Sequence, residues 1–264
     1  MADFGDSTKD KIGECRGCGN LGELRESHII PELAYRKVYT RKHRYAFMSG
    51  NNRNNLQVRQ KGLTEVLLCP NCENRLSKLE NHLKMVLEEI KGGGGKHVLI
   101  KQVSPTADEC TVDDPTTVKL AILSILWRMS ISSLDQFRGY ELGPYENKIR
   151  ELVFGRVAIL EWYQFPVWAI NLSIGAQRAL DVMMLYPRAK YHFQTLYKFC
   201  ILGIVIWVIV TASHPKNDDL ALLSLKSDGT IVIQTIDILE EMQGSSLSRR
   251  LSDPDIKRFY ERHG

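Results

Sequence analysis

Two Cys-x-x-Cys pairs carry the clearest chemistry in this 264-residue chain. Cys15 and Cys18 form the first pair, and Cys69 and Cys72 form the second. Four thiolates in two such pairs are typical of a closed tetrahedral zinc site, because each tight turn can supply two ligands. We therefore predict one structural Zn²⁺ bound by these four cysteines.

Three further side chains near the cysteines could take part in hydrolysis. His28 lies between the pairs, and a neutral imidazole can activate water. Glu73 and Glu80 are seven residues apart on a predicted helix, so both face one side, and carboxylates suit Mg²⁺ or Mn²⁺. Other roles stay open: His28 could hydrogen-bond the scaffold, Glu73 could interact with the helix N-terminus, and Glu80 could pair with Lys84.

The order of these motifs resembles the zinc-containing HNH (ββα-metal) endonucleases over roughly residues 13–90. The resemblance rests on the cysteine pairs, on His28 and Pro31 of a His-x-x-Pro signature, and on Glu73 directly after the last cysteine. It implies a treble-clef scaffold folded by zinc. It also implies that His28 is the general base and that Glu73 helps to bind a catalytic divalent ion.

The chain also resembles a broad group of bacterial HNH-like proteins, many of them encoded among mobile or antiviral genes. The shared features are Ser-His-Ile-Ile-Pro at 27–31, Leu-Leu-Cys-x-x-Cys-Glu at 67–73, Glu80 and Ser-Ile-x-Trp-Arg at 124–128. The group also has an Arg-x-Gln motif, of which this chain matches only the glutamine, Gln60. Three positions depart from the HNH pattern. Ser27 stands for an Asp, Thr64 for an Asn, and Glu73 for a His. Either the catalytic metal site uses other residues, such as Glu26, Gln60 and Glu80, or the module only binds.

A basic segment between the two halves of the predicted zinc site suggests contact with nucleic acid. Residues 33–64 contain no acidic side chain. Interleaved aromatic residues could stack on bases, and the cations would attract phosphates. The alternative is a solvated loop with some core aromatic residues. The predicted nucleic-acid-binding residues are Arg36, Lys37, Arg41, Lys42, Arg44, Arg59 and Lys61, and the aromatic residues are Tyr35, Tyr39, Tyr45 and Phe47.

Composition and hydropathy indicate a globular protein of the reducing cytoplasm. The N-terminus has no secretory pattern, and paired cysteines in such a chain favour metal ligands over disulfides. The apolar segment 199–212 is shorter than the roughly 20 residues of a membrane-spanning helix. Its Ile and Val content favours a buried central strand, so we expect no membrane contact.

We predict an α+β fold, with the zinc module followed by an α+β domain of antiparallel strands. The expected divisions are a disordered segment at 1–12, the zinc-binding module at 13–91, a linker at 92–115 and the second domain at 116–264. Apolar periodicity predicts a helix at 73–90, another capped by Thr116 or Thr117, and a third at 145–154. Asp228-Gly229 indicates a hairpin turn, and the charged C-terminus suggests a helix.

These observations predict a metal-dependent endonuclease with structural Zn²⁺ and catalytic Mg²⁺ or Mn²⁺. The expected partner is nucleic acid, with DNA favoured, and a homo-oligomer or a partner defence protein is also considered. One alternative is a zinc-dependent module that binds nucleic acid or a partner without cutting. Another is a ligand-sensing protein. Neither His82 nor His97 is expected in a site, and Arg128 is expected to pack in a helix and reach an acid.

Overall fold

The computed structural model has the predicted α+β class, with helices packed beside mainly antiparallel sheets. It describes residues 11–42, 44–48, 56–156, 163–174, 183–191, 194–210 and 223–238. The strands are β1 Lys11–Glu14, β2 Leu21–His28, β3 Tyr45–Met48, β4 Leu56–Arg59, β5 Thr64–Leu68, β6 Val98–Ser104, β7 Ala107–Val112, β8 Val167–Ser173, β9 Met184–Leu185, β10 Ala189–Tyr191, β11 Gln194–Ile201, β12 Ile204–Val210 and β13 Thr230–Asp237. The helices are α1 Glu32–Arg36, α2 Pro70–Gly92, α3 Pro115–Ile131 and α4 Tyr145–Val153, with a 3₁₀ turn at Asp135–Phe137.

A small antiparallel sheet with strand order β1-β2-β5 carries the sequence motifs. Strands β2 and β5 pair directly, and helix α2 follows β5 after one residue, which makes a strand–strand–helix unit. Helix α1 and the β3–β4 hairpin lie between the two strands in sequence. His28 is the last residue of β2. The strand–strand–helix order therefore brings the histidine motif and the second cysteine pair into one unit.

Helix α2 confirms the predicted helix at 73–90 and extends it at both ends. Its buried face follows the apolar period, with Leu76, Leu79, Leu83, Val86 and Leu87. Pro70 occupies the first turn, where its missing N–H costs no helical hydrogen bond. Gly93 ends the helix with φ +87°, a conformation that glycine adopts without steric penalty.

The segment 92–115 contains a hairpin, so the prediction of a linker is wrong for residues 98–112. Strands β6 and β7 pair with each other, and β7 pairs with β13 in the large sheet. Val98, Cys110 and Val112 bury their side chains, whereas Leu99, Lys101 and Val103 are exposed. An antiparallel sheet can leave one face in solvent, so this hairpin has few buried residues and its sequence resembles a solvated connection.

The large sheet has the strand order β10-β11-β12-β8-β13-β7-β6, with β9 paired to β11. All described neighbours are antiparallel except β8 and β13. The buried central strand predicted at 199–212 is confirmed in part. β12 is such a strand, but the segment begins with the end of β11 and a turn. Leu202 and Gly203 have φ of +54° and +76°, values that suit a two-residue hairpin turn.

Helices α2 and α3 pack on the large sheet, and the buried residues of both predicted domains form one core. Side chains of both helices and of β8, β12 and β13 surround a small apolar cavity, which includes Leu83, Ile122, Val167, Ile206 and Ile231. The boundary predicted between residues 91 and 116 is therefore not a boundary of the hydrophobic core.

The remaining predictions have mixed outcomes. Helix α4 is confirmed. Asp228-Gly229 lies in a turn, but the described residues 223–226 before it form no strand, so the predicted hairpin is wrong. The N-cap of α3 is Asp114, whose carboxylate accepts from the Thr117 N–H at 2.9 Å, so a threonine cap is wrong. The prediction of a disordered segment at 1–12 is wrong for residues 11 and 12, which lie in β1. Residues 1–10 and the predicted C-terminal helix fall outside the described residues. No helix in the described part of the chain is long and apolar enough to cross a membrane.

Candidate functional site

The four cysteine sulfurs converge between the β1–β2 turn and the start of α2. One ligand atom from each of Cys15, Cys18, Cys69 and Cys72 lies within 4.8 Å of the others. The Sγ atoms of Cys18 and Cys69 are 3.8 Å apart. Two sulfurs of a tetrahedral zinc site at about 2.3 Å from the metal would lie about 3.8 Å apart. The cluster therefore has the donor set and the dimensions of a structural zinc site.

The electrostatics of the cluster also fit a cation. Burial alone would raise the pKa of the Cys15 thiol, but the backbone N–H groups of Cys18, Cys69 and Gly17 outweigh it and lower the pKa to about 7. Burial, reinforced by neighbouring sulfurs, raises the pKa of Cys72. Several thiolates cannot share such a space without a positive charge between them. A bound Zn²⁺ would supply that charge.

The turn that carries the first pair is closely packed. A Cβ on Gly17 would lie 2.9 Å from the Cys72 sulfur and 2.8 Å from the Phe154 ring, so glycine leaves space for the cluster. Arg156, which follows α4, donates to the Cys18 carbonyl at 2.7 Å. The cysteine cluster is thus attached to elements far along the chain.

His28 lies in an open surface cleft of about 300 Å³. Its Nε2 atom is 3.0 Å from the Glu32 carboxylate, and the two side chains are 37% and 40% exposed. The pair arises because β2 ends at His28 and α1 begins at Glu32, one turn of chain later. The described cleft-lining residues are Glu26, His28, Glu32, Tyr39, Gln60, Lys61, Gly62 and Thr64.

Glu26 places a second carboxylate in the His28 cleft. It lies two residues before His28, and its carboxylate accepts a hydrogen bond from the Thr64 hydroxyl at 2.6 Å. That hydrogen bond, more than the opposing effect of burial, lowers the pKa of Glu26, and Lys61 acts in the same direction. Glu26 is therefore ionised at neutral pH. The cleft combines an imidazole, two carboxylates and a cation.

Ser27 and Glu73 lie on the opposite face of β2 from His28. Adjacent residues of a strand point to opposite faces, and Ser27 is 0% exposed while His28 reaches solvent. The Ser27 hydroxyl donates to the Glu73 carboxylate, and burial raises the pKa of Glu73 despite this bond. Glu73 is not among the described residues that line the cleft. The charge of His28 acts to lower the Glu73 pKa, but the described hydrogen-bond partner of Glu73 is Ser27 and not His28.

Glu80 is paired with Arg128. The prediction that Arg128 packs in a helix and reaches an acid is confirmed. The two side chains form an ion pair, and Arg128 is 1% exposed. Arg128 also donates to the backbone carbonyl of His28 at 2.6 Å. Glu80 therefore neutralises a buried guanidinium that holds the end of β2, instead of pairing with Lys84.

Replacing Arg128 with Met should lower the free energy of unfolding by about 3–5 kcal/mol, because Glu80 would keep a largely buried charge without its partner. Arg138→Met is the matched control, since Arg138 and Asp135 are 74% and 75% exposed. That variant should lose less than about 1 kcal/mol. Urea unfolding of both zinc-loaded variants measures the difference. Equal small losses would contradict a structural role for Arg128.

Of the predicted nucleic-acid-binding residues, Lys61 lines the His28 cleft, and the seven residues differ in exposure. Arg36, Lys37, Arg41, Lys42 and Lys61 are exposed, whereas Arg44 and Arg59 are partly buried. Base stacking is excluded for two of the aromatic residues, because Tyr35 and Tyr45 are 0% and 1% exposed. Tyr39 is partly exposed and lines the cleft, and the side chain of Phe47 is outside the described residues.

Sequence reasoning did not select Glu32 or Gly62 for the site. Glu32 is four residues after His28, but this spacing carries meaning only once β2 is known to end at His28. A Cβ on Gly62 would lie 2.9 Å from His28 and 2.7 Å from Tyr35, so only glycine leaves room for the imidazole. These residues are identified by the geometry of the cleft alone.

Comparisons of the chain with protein-family models, with curated proteins and with solved structures found no match. The function is therefore argued from the side chains of the cleft and of the cysteine cluster.

Proposed function

We propose that the protein is a metal-dependent endonuclease that hydrolyses phosphodiester bonds of nucleic acid in the His28 cleft. The observation that carries the proposal is the partly exposed imidazole of His28, 3.0 Å from Glu32, in an open cleft that also contains Glu26. A histidine positioned by a carboxylate is a suitable general base for activating water. The cysteine-bound Zn²⁺ is proposed to hold the scaffold and not to take part in hydrolysis.

The cleft residues have separable roles in this proposal. His28 accepts a proton from the attacking water, and Glu32 orients the imidazole and stabilises its protonated form. Lys61 and the exposed cations of the basic segment attract the phosphate backbone. The buried Arg128 positions the His28 backbone through the carbonyl contact, which makes it a positioning residue.

The residues available for a catalytic divalent ion differ from those that the family resemblance implies. Ser27, Glu73 and Glu80 are not among the described residues that line the cleft, so these positions do not fit an ion there. Glu26, Glu32 and Gln60 offer oxygen atoms on the His28 side, which suit Mg²⁺ or Mn²⁺. When bound there, the ion would stabilise negative charge on the scissile phosphate.

The second candidate is a zinc-dependent module that binds nucleic acid or a partner protein without cutting. The Ser27–Glu73 hydrogen bond favours it, because it fills the positions where the resembled family binds its ion. In this case the basic segment would carry the binding activity, and His28 would be replaceable without loss of affinity.

Cleavage and binding measured on the same preparation separate the two functions. Supercoiled plasmid and a labelled single-stranded RNA are incubated with the zinc-loaded protein in Mn²⁺, in Mg²⁺ and in EDTA. Cleavage in a divalent ion with none in EDTA supports the nuclease. Binding that persists in EDTA, with no cleavage in either ion, supports the binding module and contradicts the nuclease. The comparison of plasmid with RNA tests the preference for DNA.

Reversing two exposed charges should weaken nucleic-acid binding. The double variant Lys37→Glu and Arg41→Glu should reduce affinity for all sequences, and the slope of log Kd against log salt should fall by about 0.9 for each phosphate that the protein no longer neutralises. Lys101→Glu, on the exposed face of β6, is the control and should bind as the wild type does. Fluorescence anisotropy over a salt series measures both effects. Equal losses in the control would assign binding to net charge alone.

The resemblance to proteins encoded among antiviral genes leads us to propose a role in antiviral defence in the cytoplasm. In this proposal the protein acts as a homo-oligomer or together with a partner defence protein. Bacterial cells that express the protein should then form fewer phage plaques than cells that express His28→Ala. Equal plaque counts would contradict a defence role that depends on cleavage.

A further inference from the structure

We propose a second metal site, formed by His82, His97 and Asp113, that binds Zn²⁺ or a similar divalent transition-metal ion. One ligand atom from each of these residues lies within 4.8 Å of the others. The site is separate from the cysteine cluster and from the His28 cleft, and it does not depend on the proposed nuclease activity. Its residues come from the middle of α2 and from the two ends of the β6–β7 hairpin.

The distances between the donor atoms suit one small cation. Asp113 Oδ1 is 3.3 Å from His82 Nε2, and Asp113 Oδ2 is 2.7 Å from His97 Nδ1. Donors of a tetrahedral zinc site at about 2.0–2.1 Å from the metal lie about 3.3 Å apart. The imidazole rings are 5.4 Å apart and nearly perpendicular, so they do not stack on each other. The three side chains thus surround a common point.

His82 provides the observation that points to a ligand. Among the described residues, its Nε2 atom is buried and has no hydrogen-bond partner, although it approaches the Asp113 carboxylate. A buried polar atom without a partner costs free energy, and a metal ion would satisfy it. The His97 contact to Asp113 has hydrogen-bond geometry, so the cluster satisfies one imidazole by itself and leaves the other incomplete.

The surrounding backbone holds two of the ligands in place. The Asp113 N–H donates to the His97 carbonyl at 3.0 Å, which joins the two ends of the hairpin. The Glu89 carboxylate accepts from the N–H groups of His97 and Val98 at 2.6 and 2.9 Å. These contacts attach the hairpin to α2 on one side of the proposed site. The ligand positions are therefore organised before an ion binds.

The donor set identifies the class of metal. Two imidazole nitrogens and one carboxylate oxygen favour zinc or another divalent transition metal, whereas Mg²⁺ and Ca²⁺ prefer oxygen ligands. Three protein ligands leave a fourth position for water, and Asp113 is 44% exposed, so an ion can enter from solvent. A metal here would tie α2, which also carries Cys72, to the edge of the large sheet.

Zinc stoichiometry tests the proposal on the full chain. Protein is incubated with excess Zn²⁺, passed through a desalting column and measured by elemental analysis. The wild type should retain two equivalents, and His82→Asn and Asp113→Asn should each retain one. Asp108→Asn, in the same hairpin but outside the cluster, should retain two. His28→Asn should also retain two, which separates this site from the cleft.

Thermal unfolding provides a second readout that does not depend on recovery from the column. Added Zn²⁺ should raise the Tm of wild-type protein that already holds cysteine-bound zinc, because binding stabilises only the folded state. It should leave the Tm of Asp113→Asn unchanged, and the cysteine-bound zinc in that variant shows that it is folded. One equivalent in the wild type, or loss of the second equivalent in His28→Asn and not in His82→Asn, would overturn the proposal.

Discussion

Cys69→Ser is expected to remove the structural zinc and to unfold the small sheet. Metal binding to a structural zinc site contributes about 10–16 kcal/mol in isolated zinc-binding peptides, which exceeds the stability of most domains. The described core around β1, β2 and β5 is thin, and the cysteine pairs close a loop of chain from Gly19 to Leu68. Without the metal, the buried sulfurs would lose the charge that holds them together.

The loss of structure in Cys69→Ser should decrease along helix α2 from its first turn to its last. Leu83, Val86 and Leu87 pack towards the large sheet and do not depend on the cysteines. Hydrogen exchange should therefore show lost protection in β2, β5 and the first turns of α2. The last turns of α2 and strands β8, β11 and β12 should keep their protection. The body of the chain should remain folded because most of its buried residues lie far from the zinc.

Cys200→Ser is the matched control for Cys69→Ser. Cys200 is a buried thiol outside the cysteine cluster, so its replacement can destabilise the core but should leave the zinc content unchanged. Elemental analysis should find one zinc fewer in Cys69→Ser than in the control. If both variants bind the same amount of zinc, or if the wild type purified without chelators contains none at the cysteines, the zinc assignment is wrong.

The parts of the fold that follow from local sequence signals were predictable. The spacing within each cysteine pair specifies a metal turn, and the apolar period of α2 specifies a helix. The cluster of four sulfurs, the α+β class and helix α4 agree with those signals. The turn of each cysteine pair and helix α4 depend on residues a few positions apart, where spacing largely determines geometry. The two pairs lie 51 residues apart, and their meeting was predicted from the ligand set that one metal needs.

The parts that sequence patterns miss depend on residues far apart in the chain. The segment 98–112 becomes part of the large sheet only because β13 lies beside β7. The turn at Leu202-Gly203 is hidden in an apolar run whose side chains are buried on both sides. Sequence alone identifies the glycine but not the need for a turn there.

In the candidate site, too, local motifs were predictable and contacts between distant residues were not. A motif is enough to select His28, but Ser27 and His28 point to opposite faces of β2, which separates Glu73 from the cleft. Arg128 reaches His28 and Glu80 from 100 and 48 residues away. The sequence already offered Glu26 as an alternative metal ligand, but Glu32 becomes visible as the partner of His28 only when the end of β2 and the start of α1 are known.

His28→Ala is expected to lower the rate of phosphodiester cleavage by about 10²–10⁴-fold, which is the usual contribution of a general base. The variant should bind nucleic acid as the wild type does, because the exposed cations remain. It should also keep its cysteine-bound zinc, since His28 is not part of that cluster. Glu32→Gln should give a smaller loss, because the imidazole remains but loses its charged partner.

The most direct test is the initial rate of plasmid nicking in Mn²⁺ by wild-type protein and by His28→Ala, both zinc-loaded and shown to be folded by circular dichroism. The account predicts nicking by the wild type that disappears in EDTA, and a rate at least about 100-fold lower for His28→Ala. Equal rates for the two proteins, or no nicking by the wild type in any divalent ion, would contradict the proposal that His28 is the base of a nuclease.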